Sequence, residues 1–152
     1  MLNPLAGSPR GLLRHRRVLV VEDEALVAMT IEDDLREAGA ASVGWAADLP
    51  AALWWVAERG GEVDAAVLDL NLGGASALPV GRALGERRIP FVVATGQGGE
   101  AIPGLPGAPV LAKPFAPEAL VAALATLARR PPGPLAPALG CPASAATAAP
   151  AE

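Results

Sequence analysis

The chain has 152 residues and a mass of 15.3 kDa, enough for one domain with little left over. A hydrophobic content of 52% and a mean hydropathy of +0.37 exclude a disordered polar chain, and no apolar run approaches the ~20 residues of a membrane-spanning helix. A net charge of −4, aromatics at 3% and the absence of tyrosine argue against a nucleic-acid binder, while the single cysteine, Cys141, excludes an internal disulfide or a cysteine-based metal site.

Residues 1–16 hold Pro4, Pro9 and most of the basic run from Arg14 to Arg17, and are expected to form a flexible, solvated arm with His15 in water. Val18 to Val21 is a β-branched run that stops at Glu22-Asp23-Glu24. From Leu26 to Ala38 the apolar residues Ala28, Ile31, Leu35 and Ala38 recur at helical spacing, and Gly39 supplies a stop. A weaker strand covers Ser42 to Ala46, and Asp48 reads as the N-cap of a second helix with Ala52, Leu53 and Val56 on one face. On that helix Trp54 points away from the core face and Trp55 lies on its flank.

Ala65 to Leu68 reads as a buried strand ending at Asp69, with a turn at Asn71-Leu72-Gly73-Gly74 and a helix around Ala77–Glu86. Phe91 to Ala94 ends at Thr95-Gly96, and Val110 to Ala112 ends at Lys113-Pro114. The last helix begins near Pro117 and aligns Leu120, Val121, Leu124, Leu127 and Ala128. Between Gly96 and Pro109 there is no helical period, so the fourth helix is expected to be short or missing. Residues 131–152 are rich in Pro and Ala and nearly uncharged, which predicts a disordered tail and leaves 17–130 as the folded domain. Strand–helix alternation with apolar strands predicts a doubly wound α/β domain on a five-stranded parallel sheet.

In such sheets ligands sit outside the carboxyl ends of the strands. Here successive strand ends deliver Glu22 and Asp23, then Asp69, then Thr95, then Lys113, which is the only lysine of the chain. Three converging carboxylates repel each other unless a cation neutralises them, and hard oxygen ligands favour Mg²⁺ or Mn²⁺ over zinc. A hydroxyl and an ammonium opposite them form a seat for an anion. Together these groups are the equipment for phosphoryl transfer to an aspartate. Each has an ordinary role when taken alone, as helix cap, turn residue or surface charge. Their joint occurrence at consecutive strand ends is what points to a site.

The chain at this point resembles the receiver domain of two-component response regulators, through Val18–Glu24, Val67-Leu68-Asp69-Leu70-Asn71, Ala94-Thr95-Gly96 and Lys113-Pro114-Phe115. The resemblance implies a flavodoxin-like sheet of strand order 2-1-3-4-5 and Asp69 as phosphoacceptor. It further implies Mg²⁺ held by Glu22, Asp23, Asp69 and the main-chain carbonyl of Asn71, with Thr95 and Lys113 on the phosphoryl oxygens. The implied partners are a sensor histidine kinase or phosphotransfer protein and, downstream, a protein target, with no nucleic acid and no membrane, in the cytoplasm of a bacterium. The tail is too short for an output domain, so the chain is expected to act alone, signalling by contact or draining phosphate from its kinase.

Two departures from typical receivers stand out, the residue at position 110 and the lack of a regular fourth helix, and both resemble the atypical receivers known by a Phe-Ala-Thr-Gly motif. Val110 occupies the position, three before the lysine, where typical receivers carry an aromatic switch. Pro90 to Gly98 is close to the Phe-Ala-Thr-Gly pattern of atypical receivers, with Val93 in place of the Phe. Signalling is therefore expected to run through ordering of the 96–109 segment. Two alternatives are a receiver-like binding module that needs no phosphorylation and a haloacid-dehalogenase-like phosphohydrolase. The latter wants a second acid two residues after the nucleophile, where this chain has Asn71.

Overall fold

The computed structural model describes residues 11–96, 102–105 and 107–127. The main sheet contains β1 (Arg17–Val21), β2 (Ser42–Ala46), β3 (Ala65–Asp69), β6 (Phe91–Thr95) and β7 (Val110–Ala112), all parallel, in the order β2-β1-β3-β6-β7. Counting only these five strands, that is the expected 2-1-3-4-5. A hairpin of β4 (Asn71–Leu72) and β5 (Ala75–Ser76) stands outside the sheet. The helices are α1 (Ala25–Glu37), α2 (Leu49–Arg59), α3 (Leu78–Glu86) and α4 (Pro117–Leu127).

Strand alternation sorts the core into two layers. Val18, Val20, Ala65, Val67, Val92 and Ala94 face α1 and α4, where they meet Ala28, Ile31 and Leu35 and then Leu120, Val121 and Leu124. Leu19, Val21, Ala66, Leu68 and Val93 face α2 and α3, against Ala52, Val56, Val80 and Leu84. β3 is buried along its whole length because it has a neighbour on either side and helices on both faces, whereas the edge strands β2 and β7 are more exposed. Asp48 caps α2 as expected, its carboxylate accepting the N–H of Ala51 at 2.8 Å. Leu53 is only half-buried, Trp54 is exposed, and Trp55 lies over Gly44, where an added Cβ would stand 2.8 Å from its ring.

Within residues 11–16, Gly11, Leu12, Arg14 and His15 are exposed, and Leu13 alone departs from the expectation of a solvated arm. The Leu13 N–H donates to Ala38 O at 3.1 Å, Arg14 bridges Ala40, and the Leu13 side chain is fully buried against α1 and α4. One apolar residue seals the end of the layer, and its neighbours follow it. Residues 1–10 and the tail from 128 on, Ala128 included, lie outside the described residues.

No described residue between 96 and 109 is helical. In place of helical packing, Ile102, Leu105 and Ala108 press onto the α2–α3 layer, and Leu105 fills the space left by Gly81, where an added Cβ would sit 2.7 Å from its side chain. Residues 97–101 and 106, to which the expected signalling segment extends, lie outside the described residues.

Arg87, just past α3, ties that helix to α2. Its Nη1 donates to the carbonyls of Val56 (2.8 Å) and Ala57 (3.2 Å), near the end of α2 where the helix dipole favours a cation. Arg87→Ala is expected to destabilise the fold by about 1–2 kcal/mol, lowering Tm by roughly 4–10 °C in a thermal melt. Wild-type melting would remove Arg87 from any role in joining the two helices.

Candidate functional site

Because β1, β3, β6 and β7 lie side by side and run the same way, their carboxyl ends line one edge. The chain leaves β1 into Glu22 and Asp23, β3 ends on Asp69, β6 ends on Thr95, and Lys113 follows β7 directly. The Lys113 N–H donates to Thr95 O at 2.7 Å, which extends the ladder by one rung and fixes where the lysine side chain starts. Its Nζ then donates to Glu22 Oε1 at 2.9 Å and to Asp69 Oδ2 at 3.3 Å, across 91 and 44 positions of sequence. Carboxylate oxygens of Glu22, Asp23 and Asp69 all lie within 4.8 Å of one another. Glu22, Asp69 and Thr95 are the buried polar residues of the described chain.

The hairpin completes the surround. Gly73 and Gly74, with φ of +63° and +95°, form a two-residue turn of the left-handed kind that glycine enters without strain. Gly74 donates its N–H to Asn71 Oδ1 at 2.7 Å, and Asn71 donates its own N–H to Asp69 Oδ1 at 3.1 Å. A Cβ at Gly73 would stand 3.8 Å from Asp23 Oδ2. Sequence reasoning read this stretch as a turn but missed the hairpin, although a Gly-Gly pair is a signature of one. With its amide oxygen engaged by Gly74, Asn71 is no substitute for the second acid of an aspartyl phosphohydrolase.

Electrostatically the site is short of positive charge: three carboxylates face one ammonium. Burial pushes the Glu22 carboxyl up to about 7 against the pull of Lys113 and the Glu24 N–H, and the nearby Asp69 adds to the rise. Burial alone would lower the Lys113 ammonium, but its hydrogen bond to Glu22 and the charges of Asp69 and Glu22 outweigh that and hold it above the ordinary lysine value. The donor set of clustered hard oxygens, with Asp23 solvent-exposed at its mouth, fits a small divalent cation. A contact that the sequence did not reveal is that of Trp45, whose Nε1 donates to Glu22 O at 2.7 Å. A side-chain donor to a main-chain carbonyl leaves no periodic signal, and only the exposure of an aromatic on an edge strand hints at it.

Residues 18–125 match the family described as the response regulator receiver domain. Among solved structures the chain is similar to SdrG from Sphingomonas melonis Fr1, at 42% identity over 74% of this chain and 96% of that one, with a TM-score of 0.63. It is also similar to a response regulator receiver protein from Sinorhizobium medicae WSM419, at 25% identity over 78% and 98% of the two chains and a TM-score of 0.66. A third likeness is to a response regulator protein from Burkholderia pseudomallei described with a phosphorylated aspartic acid, a calcium ion and citrate, at 28% identity over 75% and 69% and a TM-score of 0.64. Among curated proteins none matches.

Proposed function

The chain belongs to the response regulator receiver domain family, and from that premise we propose that Asp69 accepts a phosphoryl group from a phosphohistidine on a sensor histidine kinase or phosphotransfer protein. The observation that carries this reading is the Lys113 ammonium spanning Glu22 and Asp69 at the carboxyl edge of the sheet. The phosphorylated aspartic acid described for the Burkholderia relative supports it.

Asp69 is 8% exposed, enough for a carboxylate oxygen to reach an incoming phosphorus while the rest of the residue stays fixed. The Asn71 N–H steadies Oδ1. The new P–O bond forms as the P–N bond to the donor imidazole breaks, and the imidazole leaves with the electron pair. Lys113 then exchanges its carboxylate partner for a phosphoryl oxygen, and the Thr95 hydroxyl takes another. Glu22, Asp23 and Asp69, with the carbonyl of Asn71, would hold Mg²⁺, which when bound neutralises charge building on those oxygens. Val110 is half-buried against the α2–α3 layer and too short to act as a rotating aromatic switch, so the phosphorylated state is read by a partner at the loops around the site or is lost by hydrolysis. The chain works in the cytoplasm, passing the signal by protein contact or draining phosphate from its kinase.

The testing experiment is intact mass after incubation with acetyl phosphate and Mg²⁺, followed by transfer from a panel of phosphorylated kinases. A Mg²⁺-dependent adduct of one phosphoryl group is expected. Failure with the small donor and with every kinase would leave the chain as a binding module.

A pH dependence follows from Glu22. Its carboxyl, raised to about 7, must lose a proton before it can ligate a cation. Affinity for Mg²⁺ is therefore full above that value and should fall by up to about tenfold per pH unit below it. Calorimetric titrations at about pH 8 and about pH 6 check this, and equal affinities would assign the proton elsewhere. In the absence of metal the sign reverses. The fold favours protonated Glu22, so that stability is present below the ordinary carboxylate range and is lost as pH rises through about 7.

A further inference from the structure

The Glu22–Asp23 peptide carries two of the three clustered carboxylates, yet it lies beyond the end of β1 where the sheet no longer dictates its orientation. The Glu22 N–H is still held by the ladder, donating to Ala46 O at 3.0 Å. The next rung of a parallel pair would come from the N–H of Asp48, two residues further along β2. That strand ends at Ala46, however, and Asp48 has turned away to cap α2. The vacant place is taken by a side chain: Trp45 Nε1, a group that can only donate, reaches Glu22 O at 2.7 Å. Trp45 is 44% exposed, so core burial does not account for it.

We propose that Trp45 is a positioning residue for the acidic pair, its indole N–H locking the Glu22–Asp23 peptide plane so that both carboxylates converge with Asp69. This rests on the reading of that cluster as a divalent-cation site. With its carbonyl held, the peptide cannot rotate, and rotation would swing the Asp23 side chain away while leaving Glu22 tied to Lys113 and the Glu24 N–H. The lock acts one bond shell outside the ligands, as groups that orient metal ligands commonly do.

The test compares wild type, Trp45→Phe, which keeps a ring and loses the donor, and Trp54→Phe as a control on an exposed tryptophan remote from the cluster. Mg²⁺ affinity is measured by calorimetry, together with melting in EDTA and the indole N–H resonances with and without Mg²⁺. We expect Trp45→Phe to weaken Mg²⁺ binding by about tenfold with EDTA melting close to wild type, and Trp54→Phe to bind normally. In wild type the Trp45 indole resonance should shift on adding Mg²⁺ while that of Trp54 stays put. Equal affinity of Trp45→Phe and wild type, or an unmoved Trp45 resonance in a protein that does bind Mg²⁺, overturns the positioning role alone. Weakened binding accompanied by an equally large loss of stability in EDTA also overturns it, in favour of a purely structural bond; should the variant not fold, the wild-type resonance decides. Absence of Mg²⁺ binding by wild type overturns the cation site itself and the inference with it.

Discussion

Asp69→Asn is expected to abolish phosphoryl uptake completely. The substitution keeps the shape of the side chain, and the amide oxygen can still accept the Asn71 N–H, so the hairpin and the edge of β3 stay in place. It removes the nucleophilic carboxylate and one of the three charges packed within 4.8 Å. Metal-free stability should hold or rise, because less like charge is confined at the sheet edge. Intact mass with acetyl phosphate and Mg²⁺ reads the loss, and a thermal melt in EDTA reads the fold. A variant that melts normally and carries no adduct places the acceptor at Asp69. A phosphoryl adduct of undiminished yield on D69N would move the acceptor to another residue and end the proposed mechanism.

Lys113→Ala is expected to slow phosphoryl uptake by a factor on the order of 10² to 10³, the range seen when a preorganised donor to a developing anion is deleted. Lys113 is the only lysine of the chain, and within the cluster it is the cation that neutralises Glu22 and Asp69 together. Without it the buried Glu22 carboxyl can avoid an unpaired charge by keeping its proton. The variant should therefore fold while its cation affinity at neutral pH falls. Lys113→Arg should rescue poorly, since a wide planar fork does not fit a place built for a compact ammonium between two carboxylates. The rate of adduct formation checks this. An unchanged rate in Lys113→Ala would mean that the salt bridges serve stability alone, which a melt would then have to show.

Much of this molecule was legible from local pattern. The run Ala65–Leu68 ending on Asp69, the spacing of Ala28, Ile31 and Leu35 and the Asp48 cap each depend on a few neighbouring residues, and the structure places them as read; among the described residues after Gly96 none is helical before Pro117. Strand ends bearing acids, a threonine and a lysine pointed to one site because a parallel sheet carries all its carboxyl ends to one edge. Local pattern was enough for the five strands of the main sheet, the four helices and the parallel arrangement, though not for the hairpin of β4 and β5, and it singled out Glu22, Asp23, Asp69, Thr95 and Lys113 as candidates, since period and turn chemistry are properties of short segments. Packing alone brought Lys113 to Glu22 as well as Asp69, Trp45 to the Glu22 carbonyl, Leu13 into the core and Leu105 into the space above Gly81. Those contacts join residues far apart in the chain through the twist of the sheet and the reach of single side chains. Distances of that kind leave no period behind for a sequence to display.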